Sequence, residues 1–390
     1  MHYTVGMAPR PLTFITITAA AALAASYACA SSLDKAALSA DELLLSRKSA
    51  SPATPAPAPA AETASGIAYA DICGADPAAL SEARDKRRSA NLKALEPEIR
   101  PGFQAVVKKY GLPDLQSGDF INSALNSVSY TFPYQIEKSK GALAEFAEVI
   151  EAAVLNKMPM PDYGRIKAAL IARIKSSGLE IPVKAELVNR VELTSLILPS
   201  QYIRKYITSS EELWPVIPQL VADQAWNASY EDLGGAGNPE LRPNQSVIIV
   251  YPGILLAEMR GDGAPARLDF VLLHETAHSI DSGRFPSLYA GYAGCLKSAY
   301  GQSFKNWDEV LADYWAVSAL PAFMPRSGGL DYLGKSYELI CGTEGEAGSL
   351  LVAITSADHP SAKYRVENIL GRDPGVAKVL GGQPAAVCGI

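Results

Sequence analysis

Between about residues 77 and 220, apolar residues recur three and four positions apart, the spacing that lines one face of an α-helix. Leu143, Phe146, Val149, Ile150 and Leu155 form one such stripe. The same reading predicts a helix over 163–177, stopped by Gly178, and another over 183–198, stopped by Pro199. The pattern changes over 245–255, where SVIIVY is a short β-branched apolar run between Asn244 and Pro252-Gly253, as in a buried strand. Helical spacing returns over 266–280 and 307–320, and no repeat of solenoid length occurs. The expected fold class is α+β, mainly helical, with a small mixed sheet.

The ends of the pattern are of a different kind. Arg10 precedes an Ala-rich apolar run over 12–25, and small residues surround Ala28-Cys29-Ala30, so residues 1–30 read as an export signal. Cleavage after Ala30 satisfies the small-x-small rule. The alternatives are acylation of Cys29, for which Ser26-Tyr27-Ala28 is a poor lipobox, and retention as a membrane helix. Residues 31–66 read as a linker, because SRKSASPATPAPAPAAETASG over 46–66 is rich in Pro, Ala and Ser and favours solvated, extended backbone. A helical region over 67–224, forming part of a cleft, and a catalytic region over 225–390 are expected to follow. The expected location is periplasmic or extracellular, with any membrane anchor confined to the N-terminus.

Composition narrows the class. With 390 residues, 48% hydrophobic and 19% charged, the chain is long and apolar enough to bury a core. A net charge of −6, with no Lys/Arg stripe interleaved with aromatics, excludes a nucleic-acid partner. Past the signal stand Cys73, Cys295, Cys341 and Cys388, an even number in an oxidising compartment, which predicts two disulfides with three connectivities open. None lies in a C-x-x-C pair, so a thiolate metal site is not expected.

The chemistry concentrates in His274-Glu275-Thr276-Ala277-His278, within the apolar helix RLDFVLLHETAHSI. A spacing of four puts both imidazoles on one helical face as ligands of a single metal, with Glu275 beside the metal-bound water. Zinc suits neutral imidazole, and its catalytic sites use three protein ligands and keep one position for water. For this composition the motif arises by chance in roughly one chain in 400. The third ligand is expected from Glu309, with Asp313 one turn on to orient a ligating histidine. Glu309 also has an alternative role, closing a capping box with Asn306, and Asp308 competes with it as ligand. Four histidines exist, and His359 is the one outside both the signal and the HETAH motif. It is a loop histidine or, placed near the metal, a donor to the oxyanion, with Arg365 as a second cationic group.

In order along the chain, Asn227-Ala228-Ser229-Tyr230, PNQSVIIVYPGIL (243–255), HETAHSID with Gly283, EVLAD (309–313) and DHPSAKYRV (358–366) resemble blocks of the neprilysin and endothelin-converting-enzyme family of zinc peptidases. That family belongs to the wider thermolysin-like group. The resemblance covers about residues 225–388. It implies a thermolysin-like fold with the small sheet beside the HExxH helix and one zinc per chain on His274, His278 and Glu309. It further implies Glu275 as base, Asp313 as partner of a ligand, Asn227 and Ala228 holding substrate backbone, and His359 and Arg365 at the oxyanion and substrate. It also implies Cys73–Cys388 and Cys295–Cys341 disulfides. The chain departs from the family in its short N-terminal part, in Ser229 where an aromatic is usual, and in a short interval between His278 and Glu309. Asn227-Ala228-Ser229 is also an N-glycosylation acceptor sequence. The CAAX-prenyl-protease-type gluzincins share the HExxH, E-x-x-x-D and late His-Pro blocks.

The expected function is hydrolysis of peptide or protein substrates, as an endopeptidase, with side-chain pockets that include Ile254. The alternative classes are a non-catalytic peptide-binding module that keeps a metal, and a latent enzyme in which the His359 loop covers it.

Overall fold

A computed structural model describes residues 67–114, 120–220, 228–233, 245–259, 268–281, 285–290, 307–343 and 360–382. The predicted export signal and linker lie outside these residues. Contacts divide the chain into Met1–Glu62 and Thr63–Ile390, and every described residue belongs to the second unit. No helix among the described residues is long and apolar enough to cross a membrane.

A short helix α1 (Tyr69–Cys73) leads into α2 (Pro77–Tyr110), a 34-residue helix. Asp76 caps it, accepting from the Ala79 N–H at 3.1 Å, and Pro77 occupies the first turn, where a missing N–H costs nothing. The helix ends at Gly111, whose φ of 64° is the left-handed conformation that glycine adopts without strain. Its buried stripe of Leu95, Ile99, Phe103 and Val106 packs against α4 (Ile136–Leu155), with the Phe103 and Phe146 rings 4.6 Å apart. Helix α3 (Phe120–Thr131) closes this layer through Phe120, edge-on to Phe103. The contact between α2 and α4 is close: a Cβ on Gly102 would stand 2.7 Å from a Val149 methyl carbon. The α4 stripe read from the sequence is the one observed, with Leu143, Phe146 and Ile150 fully buried.

Helix α5 (Tyr163–Ser176) ends within a residue of its predicted stop. The helix expected over 183–198 does not run that far. It spans α6 (Ile181–Leu193), and Thr194–Ile197 is instead strand β1. The apolar spacing continues through TSLI, but β1 pairs in parallel with β3 (Ser246–Val250), and that long-range ladder overrides the local helical pattern. Helix α7 (Pro199–Lys205) is anchored to α4 by buried Glu151, which accepts from the Ser200 N–H at 2.8 Å and from its hydroxyl at 2.5 Å.

Strand β2 (Ala228–Asp232) pairs antiparallel with β3, with Glu231 opposite Val247, so the sheet is mixed, in the order β1-β3-β2. Every residue of β3 is buried, which accounts for its unbroken apolar run. The regions predicted as 67–224 and 225–390 both contribute to this sheet. Helix α8 (Pro252–Glu258) follows β3, and α2 caps its end: Asn91 donates to the Leu256 and Met259 carbonyls at 2.8 and 3.0 Å, and Arg87 to Ala257 at 3.1 Å.

The HETAH segment lies on α9 (Asp269–Ala277), continued by a 3₁₀ turn His278–Ile280, and packs on α10 (Trp307–Ala319) and on β2 and β3. The protein is thus mainly helical α+β, with a small mixed sheet beside the HExxH helix. Helices α11 (Gly329–Ser336) and α12 (Glu338–Thr343) complete the packing. The cysteine pairing implied by the family resemblance is not the one observed. Cys73 is bonded to Cys341, not to Cys388, closing a separation of 268 residues. The reason is packing: α1 lies against α11 and α12, and both cysteines are buried in that contact. Cys341 is therefore not available to Cys295, which, with Cys388, lies outside the described residues.

Candidate metal centre

Along α9 and its 3₁₀ extension, Phe270, Val271, Leu272 and Leu273 are buried, and only Asp269, Glu275 and His278 are partly open. Glu275 and His278 are both partly open, while His274, one turn before His278 on the same face, is covered. The helix is held at two points near the motif. Thr276 donates to the Leu272 carbonyl and meets the Tyr163 hydroxyl of α5 at 3.2 Å. Beyond His278, the Tyr289 hydroxyl donates to the Ile280 carbonyl at 2.7 Å and accepts from the Trp315 indole N–H of α10 at 2.9 Å.

Helix α10 brings Glu309 and Asp313 to opposite sides of the His274 ring. His274 Nε2 is 3.0 Å from Glu309 Oε2 and 3.2 Å from His278 Nε2, and Glu309 Oε2 is 3.6 Å from His278 Nε2. His274, His278 and Glu309 form a group that could hold a metal ion, with ligand atoms all within 4.8 Å of one another. A tetrahedral site with bonds of about 2.0–2.1 Å requires ligand atoms about 3.3 Å apart. The three observed separations straddle that value, so the donor set fits such an ion with adjustments of tenths of an ångström. Asp308, the competing carboxylate, is not part of the group.

On the other side of the ring, His274 Nδ1 stands 2.8 Å from Asp313 Oδ1. An ionised carboxylate only accepts, so Nδ1 carries the hydrogen and Nε2 faces Glu309 and His278. Arg365, in a π-helical turn Arg365–Ile369, donates through Nη2 to the same Asp313 oxygen at 2.5 Å. The side chains grade from 1% exposed at Asp313 and 6% at His274 to 14% at Glu309 and His278, so the centre opens on its Glu309–His278 side. Burial opposes charge on His274, but in the metal-free chain the hydrogen bonds and charges of Asp313 and Glu309 prevail and push its pKa up to about 10. Burial raises the Asp313 carboxyl, and Arg365 and then His274 outweigh it, leaving it below the ordinary range.

The structure therefore joins His274, His278, Glu309, Asp313 and Arg365 in one connected array. Arg365 lies behind Asp313, its guanidinium 5.7 Å from the Phe270 ring centroid, rather than on the open side expected of a group that holds substrate. Ala228 is buried on β2, opposite Val250, and Ile254 is buried in α8. Asn227 and His359 lie outside the described residues. The sequence reading missed Glu231, half-buried on β2, whose carboxyl is raised by burial and by the charge of Glu275. A strand pattern in NASYED would have found β2, but nothing local says which residues face α9. No family model, curated protein or solved structure matches the chain.

Proposed function

We propose that the protein is an exported zinc metallopeptidase of thermolysin-like architecture, resembling the neprilysin family. The observation that carries the reading is the convergence of two imidazole nitrogens and one carboxylate oxygen at tetrahedral spacing, with a glutamate next to the first of them. Two His and one Glu make a donor set of the catalytic zinc type, which leaves a position for water. The buried Cys73–Cys341 bond supports an oxidising location.

When bound, zinc on His274, His278 and Glu309 supplies Lewis acidity that lowers the pKa of a water and polarises a peptide carbonyl. The remaining work belongs to the chain. The Glu275 carboxylate takes the proton from the attacking water and delivers it to the nitrogen of the departing amine. Asp313 holds His274 through Nδ1, fixing the tautomer that directs Nε2 to the metal, and Arg365 neutralises Asp313 so that the carboxylate stays ionised when buried. Strand β2, the sheet edge on the α9 side, offers backbone groups for an extended peptide, which places its carbonyl beside Glu275.

The test is metal content measured alongside mass-spectrometric cleavage of a mixed peptide library, for the mature chain and for Glu275→Gln. One zinc per chain in both proteins is expected, with turnover lost in the variant. Cleavage undiminished in Glu275→Gln overturns the base assignment, and zinc without cleavage in either protein overturns the peptidase reading in favour of a binding module or latent enzyme.

A further inference from the structure

The sheet has a second edge. Strands β1 and β2 flank β3, so among the described strands β1 is the edge remote from β2. Along it runs a groove of about 480 Å³, within the range of ligand sites, lined by β1 and by Met160, Tyr163, Lys167 and Gln201. Tyr163 ties this groove to α9 through its 3.2 Å contact with Thr276. Thr276 is two residues from His274 and therefore on the other side of that helix, so the groove is separate from the metal centre.

In a parallel ladder, alternate residues of a strand direct both N–H and C=O to the neighbouring strand, and the residues between direct both away. Thr194 is turned away from β3: its N–H returns to the Val191 carbonyl, and its carbonyl accepts from Lys167 Nζ at 3.3 Å. Leu196, two residues on, is therefore turned the same way and opens its N–H and C=O to the groove, where no group among the described residues bonds to either. The next donor along the edge, the Leu198 N–H, is taken by Gln201 Oε1 at 3.1 Å. An open donor and acceptor on one edge residue pair with one residue of an extended peptide.

Lys167 decides which part of a peptide. Its ammonium donates to the Glu192 and Thr194 carbonyls at 3.1 and 3.3 Å, which leaves one of its three hydrogens. None of the residues lining the groove is acidic, and no carboxylate among the described residues pairs with Lys167. The complement of an uncompensated cation beside an open backbone pair is a chain end, which carries a carboxylate and, behind it, backbone groups. Lys167 sits at Thr194, about 6.6 Å along the strand from Leu196. A carboxylate at Lys167 therefore places the residue one or two back against Leu196.

We infer that this groove is a second binding site, which takes the C-terminal end of an extended peptide: Leu196 pairs with its backbone and Lys167 holds its terminal carboxylate. The site needs no metal and does not depend on the peptidase reading.

The experiment uses one acetylated hexapeptide in three forms: the free acid, the C-terminal amide, and the acid with N-methyl groups on its last three residues, which block strand pairing. Binding to the metal-stripped full chain is measured by calorimetry for wild type, Lys167→Met and Leu196→Pro, with sodium acetate as the free anion. Proline at 196 removes a groove-facing N–H and no ladder bond. A charge-assisted hydrogen bond predicts that wild type binds the acid about tenfold or more tightly than the amide. Backbone pairing predicts about fivefold or more over the methylated acid. Lys167→Met brings acid and amide together, and Leu196→Pro brings acid and methylated acid together; if the proline variant does not fold, the methylated peptide puts the same question to wild type. Equal binding of acid and amide by wild type overturns the inference without any variant, as does an acid preference that survives Lys167→Met. Methylated acid or acetate that binds as tightly as the acid overturns it in favour of a simple anion site. A dimer in light scattering that Leu196→Pro dissociates, with no peptide bound, overturns it in favour of a second copy of the chain. Failure of the peptidase reading is seen only as absence of cleavage by the zinc-loaded chain and leaves these binding ratios where they are.

Discussion

Replacing Asp313 by asparagine isolates the charge behind the metal centre. His274 Nδ1 at 2.8 Å and Arg365 Nη2 at 2.5 Å converge on one oxygen, Oδ1, whereas Oδ2 is buried and has no hydrogen-bond partner. In Asp313→Asn the amide oxygen can keep both bonds and the NH₂ takes the place of Oδ2, so shape and hydrogen bonding change little and the negative charge is lost. Two consequences are separable. His274 becomes a poorer donor, which for an outer carboxylate of this kind weakens metal binding about 10- to 100-fold, or about 1.4–2.8 kcal/mol. Arg365, 8% exposed, is left as an uncompensated buried cation, which costs about 3 kcal/mol of folding stability. Removing that cation as well, in Asp313→Asn/Arg365→Met, should restore most of the stability and none of the metal affinity. Zinc affinity is read by competition with a chromophoric chelator, and stability by urea unfolding of the metal-stripped chain. Wild-type zinc affinity in Asp313→Asn would refute the role given to Asp313. Parallel loss and recovery of both quantities in the double variant would show that Asp313 acts through folding alone.

Three further outcomes are expected. In the metal-stripped chain, Glu231 has its folded pKa raised above 4.5, first by burial and then by Glu275, so its ionisation costs stability: the deficit is absent below the unfolded value and grows as pH rises through the folded one. Glu231→Gln should therefore raise the thermal midpoint at pH 8 and leave it unchanged at pH 4, and an equal shift at both would show that charge is not the cause. Dialysis against a chelator should lower the midpoint, and zinc at about a thousand times its Kd should return about 4 kcal/mol; a midpoint indifferent to metal would speak against a preformed site. Phe103→Ala empties a fully buried position that meets the Phe146 and Phe120 rings, and should cost about 3–5 kcal/mol in urea unfolding with zinc affinity unaltered.

The sequence by itself determined what lies within one element. The four-residue spacing of His274 and His278 fixes their common face once the segment is helical, the stripe through Leu143, Phe146 and Ile150 fixes the buried face of α4, and the β-branched run at 246–250 fixes a central strand, because each depends on periodicity along a single backbone. Tertiary structure decided what depends on which elements meet. Glu309 rather than Asp308 joins the histidines because of how α10 is rotated against α9, across 35 residues of chain. Thr194–Ile197 is a strand because β3 is there to pair with it, although its local pattern continued a helix. Arg365 is turned inward to Asp313 and Cys73 finds Cys341, both through packing contacts that no spacing in the chain encodes. Ligand type is written in local chemistry, whereas ligand partnership and the charge environment that tunes it arise only when separate elements are brought into van der Waals contact and water is excluded between them.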